Sequence, residues 1–76
     1  MEPVQVECYS GYTYAQEPRS IIRRGVRIGV MRVIKTWRTP DGPGFRVRLD
    51  DGALVELYFD EQRGQWLLGE QLPTPS

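Results

Sequence analysis

The stretch F-R-V-R-L-D-D-G-A-L-V-E-L-Y-F-D, residues 45–60, decides how the rest of the chain is read. If Asp51-Gly52 were a two-residue turn, Arg46 would face Leu57 and Arg48 would face Val55, which mixes guanidinium groups into an apolar face. A three-residue loop, Asp50-Asp51-Gly52 with Gly52 in the left-handed conformation, instead sets Val47 opposite Val55 and Phe45 opposite Leu57. It also sets Arg46 opposite Glu56. Such a cross-strand pair contributes only about 0.2–1 kcal/mol, so it refines a register that burial has already chosen. A helical reading through Leu54, Leu57, Tyr58 and Glu61 competes. It would leave the turn without a use and the strand from Phe45 without a partner, so the stretch is read as a β-hairpin.

Outward from the hairpin, extended patterns continue. Val4, Val6 and Cys8 alternate with Gln5 and Glu7. Ser20 to Arg23 reads as a strand, Arg24-Gly25 as a tight reversal, and Val26 to Arg38 as a long strand in which the alternation slips. Val26, Ile28 and Val30 share one parity; Met31, Val33 and Trp37 share the other. Gly29 precedes the change, and a β-bulge there would return the later side chains to the core. Thr39-Pro40-Asp41-Gly42-Pro43-Gly44 is the clearest loop. After the turn Glu61-Gln62-Arg63-Gly64, a last strand runs from Gln65 to about Leu72, with Trp66 and Leu68 inward. Both Trp37 and Trp66 close alternating apolar sets and are expected in the core, against an alternative role as stacking platforms for bases. The expected fold is all-β: a small five-stranded, strongly bent meander or partly open barrel, SH3-like or OB-like. Residues 1–72 form one domain and 73–76 a disordered tail.

Composition narrows the function classes. A chain of 76 residues hides only about 60% of its unfolded surface on folding. Apolar runs of two or three residues exclude a membrane span or a signal peptide. One cysteine forms no internal disulfide, so a cytoplasmic setting is expected, with Cys8 a small buried hydrophobe rather than a reactive thiol. Histidine is absent, which removes Ser-His-Asp and Cys-His nucleophiles and His-ligated zinc. The carboxylate pairs Asp50-Asp51 and Asp60-Glu61 fall at turns, where Asp serves the backbone. A calcium loop beginning at Asp60 fails because Gln65 stands at the glycine position and Gln71 at the bidentate glutamate position. Gly42-Pro43-Gly44 matches no phosphate-cradling pattern. The expectation is a binding module that is not an enzyme, with no cofactor, no metal and no small-molecule substrate.

Charge is neutral overall but segregated: nine of the ten basic residues lie between Arg19 and Arg48, against Asp41 as the one acid there. Acidic residues dominate both flanks. Basic strands can simply pair with acidic neighbours, or they can present a basic face to phosphate backbones or to an acidic protein. Eight of the nine are arginine, suited to bidentate contact with phosphate or carboxylate. The candidate contact residues are Arg23, Arg24, Arg27, Arg32, Lys35 and Arg38, with Arg27 and Arg32 joining Lys35 or Arg38 in an outward row. Tyr9, Tyr12 and Tyr14 belong to C-Y-S-G-Y-T-Y (8–14), an arc that either plugs a barrel end or forms an exposed aromatic surface for a nucleic acid or peptide. The partners expected are DNA or RNA, or else a protein partner or a homodimer formed through that arc or a sheet edge; no membrane partner is expected.

The runs P-R-S-I-I-R-R-G-V-R-I-G-V-M-R-V-I-K-T-W (18–37), F-R-V-R-L-D-D-G-A-L-V-E-L-Y-F-D (45–60) and Q-W-L-L (65–68) together resemble a small bacterial domain of unknown function. In it a Pro, a Gly, a Trp, a late Asp-Gly and a terminal Trp recur in this order, and Y-S-G-Y-T-Y is similar to the opening of one subgroup. Ile21-Ile22 departs from that pattern, which has aromatics there. Some relatives occur alongside or fused to Y-family DNA polymerase components of damage tolerance. The resemblance therefore implies work on nucleic acid and supplies no catalytic residue.

Overall fold

The computed structural model describes residues 2–8 and 17–72, with 70–72 described by backbone only. Seven strands appear in it: β1 (Glu2–Pro3), β2 (Gln5–Cys8), β3 (Pro18–Arg23), β4 (Val26–Thr39), β5 (Gly42–Leu49), β6 (Leu54–Asp60) and β7 (Gln65–Leu72). They form one antiparallel sheet in the order β1-β7-β6-β5-β4-β3-β2, a meander from β2 to β7 with β1 added beside β7. Only Val4 separates β1 from β2, yet β1 pairs with β7 and β2 with β3, so one N-terminal segment brings the two ends of the sheet together. The Val4 amide donates to the Trp66 carbonyl at 3.0 Å, within that join. The result is a nearly closed, barrel-like sheet.

Seven strands replace the expected five. Alternation marks which face a side chain takes but not where its strand changes partner, and that change is what divides the N-terminal run. The six extended segments read from the sequence already exceed that count by one, and they correspond to β2 through β7.

The 45–60 hairpin has the three-residue loop. Val47 faces Val55, Phe45 faces Leu57 and Arg46 faces Glu56. The Leu49 amide donates to the Ala53 carbonyl (2.8 Å), the Gly52 amide donates to the Leu49 carbonyl (2.9 Å), and Gly52 has φ +91°. Asp51 accepts from the Ala53 amide at 2.9 Å, the local turn chemistry that Asp provides. Arg24-Gly25 is likewise a two-residue reversal with Arg23 opposite Val26, and both turn residues have positive φ (53° and 79°). That is the primed turn whose twist suits a tight hairpin.

Between β4 and β5 the expected six-residue loop shrinks to a tight turn, and Pro43-Gly44 joins the strand. Thr39 holds it: its hydroxyl donates to the Gly42 carbonyl (2.7 Å), and its Oγ1 accepts from the amides of Asp41 and Gly42. Gly42, with φ +147°, lies so close to the Phe59 carbonyl that no side chain would fit. At the β6–β7 turn Asp60 accepts from the amides of Gln62 and Arg63.

The core is Ile21, Phe45, Val47, Leu49, Val55, Leu57, Trp66 and Leu68, with Val4, Val6, Cys8, Ile28, Val30 and Val33 packed against it. Phe45 and Phe59 both contact Trp66, at ring centroid distances of 5.5 and 5.2 Å. Burial of these alternate positions on every strand drives the curling of the sheet.

In β4 the slip is real, but it takes a different form from a single bulge at Gly29. Register shifts occur twice, between Val30 and Arg32 and between Val33 and Lys35, leaving Met31 and Ile34 as the extra residues. Both are exposed (56% and 42%), and so is Val26 (59%) at the strand's start. Met31 and Val26 therefore do not point into the core as their parity implied. Two bulges shift the face by one position each. Trp37 consequently moves to the outer face, a correction of its expected core position, while Trp66 is buried at 8% exposure.

Candidate nucleic-acid interface

In an antiparallel pair, residues directly opposite one another share a face. Val47 and Leu49 are buried, so the alternating Arg46 and Arg48 on β5 point outward. Their partners on β4 are Lys35 and Arg32. The outer face of β4–β5–β6 thus carries three rows: Arg32–Arg48–Leu54, Lys35–Arg46–Glu56 and Trp37–Gly44–Tyr58.

Of these charged groups, Arg46 is neutralised. Its Nη2 and Nε donate to Glu56 Oε2 at 2.9 and 3.3 Å, as the hairpin register required. The Tyr58 hydroxyl donates to Glu56 Oε1 at 2.9 Å. Hydrogen bonding from Arg46 first, and from Tyr58 after it, holds the Glu56 carboxyl below the usual glutamate value against the opposing effect of burial; Lys35 adds a Coulombic pull. Burial pushes the Tyr58 hydroxyl up, and its bond to Glu56 adds to the rise. Arg48 donates to the Gly52 carbonyl at 3.3 Å. Among the described residues, neither Arg32, Arg48 nor Lys35 has a carboxylate within ion-pair distance.

Trp37 meets the edge of Tyr58, centroids 5.8 Å apart and planes at 78°. An ideal Cβ on Gly44 would stand 2.7 Å from Trp37 Cε2 and 2.8 Å from Nε1. Gly44 is therefore what lets the indole lie across β5. Lys35, Trp37, Arg46 and Glu56 enclose a shallow cleft of about 290 Å³.

The six candidate basic residues are not brought into one row. Arg32 and Lys35 lie together on this face. Arg27 donates to Glu7 at 3.0 Å over β2–β3, and Glu7 also accepts from the buried Ser20 hydroxyl at 2.7 Å. At the opposite end of β4, Arg38 donates to Glu61 at 2.8 Å. Arg23 and Arg24 sit at the β3–β4 reversal. The two bulges separate these groups, and Arg46, Arg48 and Trp37 join Arg32 and Lys35 in their place. Only the strict alternation of Arg46 and Arg48 with Val47 and Leu49 signals that membership in the sequence. Tyr9, Tyr12 and Tyr14 lie outside the described residues, as does the tail at 73–76.

Among the described residues, no group of three or more Cys, Asp or Glu side chains is placed to hold a metal ion, and no helix is long and apolar enough to cross a membrane. No protein-family model, curated protein or solved structure matches the chain.

Proposed function

We propose that the protein is a non-enzymatic binding module that contacts nucleic-acid phosphates through the outer face of β4 and β5, with Arg32, Lys35 and Arg48 as the principal cations. One observation carries this reading: Arg32 and Arg48 stand directly opposite each other without a described carboxylate between them. Like charges in that position destabilise a sheet. An external polyanion would remove the repulsion and gain bidentate contacts in doing so. Lys35 beside Arg46 extends the same face. The resemblance to a bacterial domain found with Y-family polymerase components points the same way, and a cytoplasmic setting is part of the same proposal. Within the barrel class, the meander of β2 to β7 favours the SH3-like assignment over the OB-like one, whose strands follow a Greek key.

Fluorescence anisotropy with labelled DNA and RNA at two ionic strengths tests the reading. Affinity is expected to fall steeply with salt, and each cation replaced by Ala reduces the slope of log K against log salt by about 1. Binding that is absent, or indifferent to salt, would discard it.

A second reading has its own support. Val26, Met31 and Ile34 are exposed apolar residues on one strand, which suits a protein partner or self-association. Concentration-dependent mass in light scattering would favour it.

A further inference from the structure

We infer that the ligand of this face is single-stranded, with an unpaired base stacked on Trp37. The inference rests on the phosphate-binding reading above and deepens it. Three features of the indole lead there.

First, Trp37 lies on the outside of the barrel rather than in it, in the same column of β4 as Lys35 and Arg32. Second, it is held in place. Gly44 leaves the floor beneath it bare, and Tyr58 abuts it at 78°. Tyr58 is fixed in turn by its 2.9 Å bond to Glu56, and Glu56 by Arg46. A platform ordered before the ligand arrives loses little entropy on binding. Third, the cleft beside it is bounded by Lys35 and by the Arg46–Glu56 pair, so Lys35 is the cation without an ion-pair partner among the described residues that flanks the aromatic surface.

Stacking platforms flanked by basic groups are the arrangement that grips unpaired bases without reading their edges. A duplex keeps its base faces inside its own stack, so it could use only the cations. The face should accordingly discriminate by strandedness and hardly by sequence. Arg32 and Arg48, one row along the sheet from Lys35 and Arg46, would take the phosphates of the neighbouring nucleotides.

Tryptophan fluorescence reads the contact directly, because Trp66 is buried at 8% exposure and leaves Trp37 as the accessible fluorophore. The full chain is titrated with an oligothymidylate, an oligouridylate, a mixed-sequence duplex and an abasic deoxyribose-phosphate oligomer of equal length. Quenching and tight binding are expected with both the thymidine and the uridine strand. Weaker binding without quenching is expected with the duplex and the abasic chain. Trp37→Ala should lower single-strand affinity by roughly five- to a hundredfold while leaving the abasic affinity and the salt slope unchanged. Trp37→Phe should recover most of the loss, and circular dichroism confirms that both variants are folded. Equal, salt-dependent affinity for all four probes, with Trp37→Ala indistinguishable from the parent, overturns the stacking and leaves the phosphate reading standing. Failure of every probe to bind overturns both.

Discussion

Gly44 matters through the side chain it lacks. With the Trp37 ring 2.7–2.9 Å from where a Cβ would sit, Gly44→Ala must push the indole off β5 and away from Tyr58. Overpacking of this kind costs about 1–3 kcal/mol. A lowered urea midpoint together with a shifted tryptophan emission maximum is the expected result, whereas an unchanged emission would mean that the indole does not rest there. Glu56, two residues from Tyr58 on β6, makes a prediction with a definite sign. Its folded pKa lies below the ordinary glutamate value of 4.5, so its ionised form is favoured by folding. The stability that this adds is present above the unfolded value and disappears as pH falls through the folded one. Glu56→Gln should therefore cost stability near neutral pH, and the difference from the parent should shrink steadily as the pH falls below 4.5. Urea midpoints across that range check it. A gap that widened on acidification would contradict the assignment of Arg46 and Tyr58 as its partners.

At the scale of elements, β4 explains what could and could not be read from the sequence. The 45–60 hairpin was legible down to its register, because a one-residue slip would have set Arg46 and Arg48, in place of Phe45 and Val47, opposite Leu57 and Val55. The last strand, Gln65 to Leu72, was legible for a similar reason. In β4, two single-residue bulges three positions apart nearly cancel in the residue pattern: Val30 and Val33 stay inward while Met31 and Ile34 drop out of register. A pattern with one slip is consistent with one bulge or with two, and only pairing to β5 separates them. Reading one bulge where there are two put Trp37 in the core and Arg38 in the outward row, so the candidate site was only half visible. Substitution distinguishes the two arrangements. Ile34→Lys, at an exposed bulge, should stay within about 0.5 kcal/mol of the parent, while Val33→Lys would set an ammonium at a half-buried position packed against the core and should cost distinctly more. If Ile34→Lys proved the more damaging of the two, the second bulge would be misassigned.

For the whole molecule, the segregated charge resolves into two kinds of pairing. Glu7, Glu61 and Glu56 each hold an arginine of the basic middle, Arg27, Arg38 and Arg46, at 3.0, 2.8 and 2.9 Å, so the acidic flanks do fold back onto it. Among the described residues, that neutralisation stops short of Arg32 and Arg48. A domain of this size has little stability to spare, so a repulsive pair retained across a sheet argues for a use outside the fold. Arg32→Glu separates folding from binding because it moves them in opposite directions. Within the barrel it replaces a like pair with an opposite pair against Arg48, which should raise stability by about 0.2–1 kcal/mol. On the surface it sets a carboxylate where a phosphate is proposed to lie, and single-strand affinity should fall at least tenfold, the equivalent of about 1.4 kcal/mol. Denaturant midpoints and anisotropy titrations on the same preparation give both numbers. A variant that is more stable and binds less would tie the basic face to its ligand, whereas one that binds undiminished would return Arg32 to the ordinary solvated surface of a small barrel.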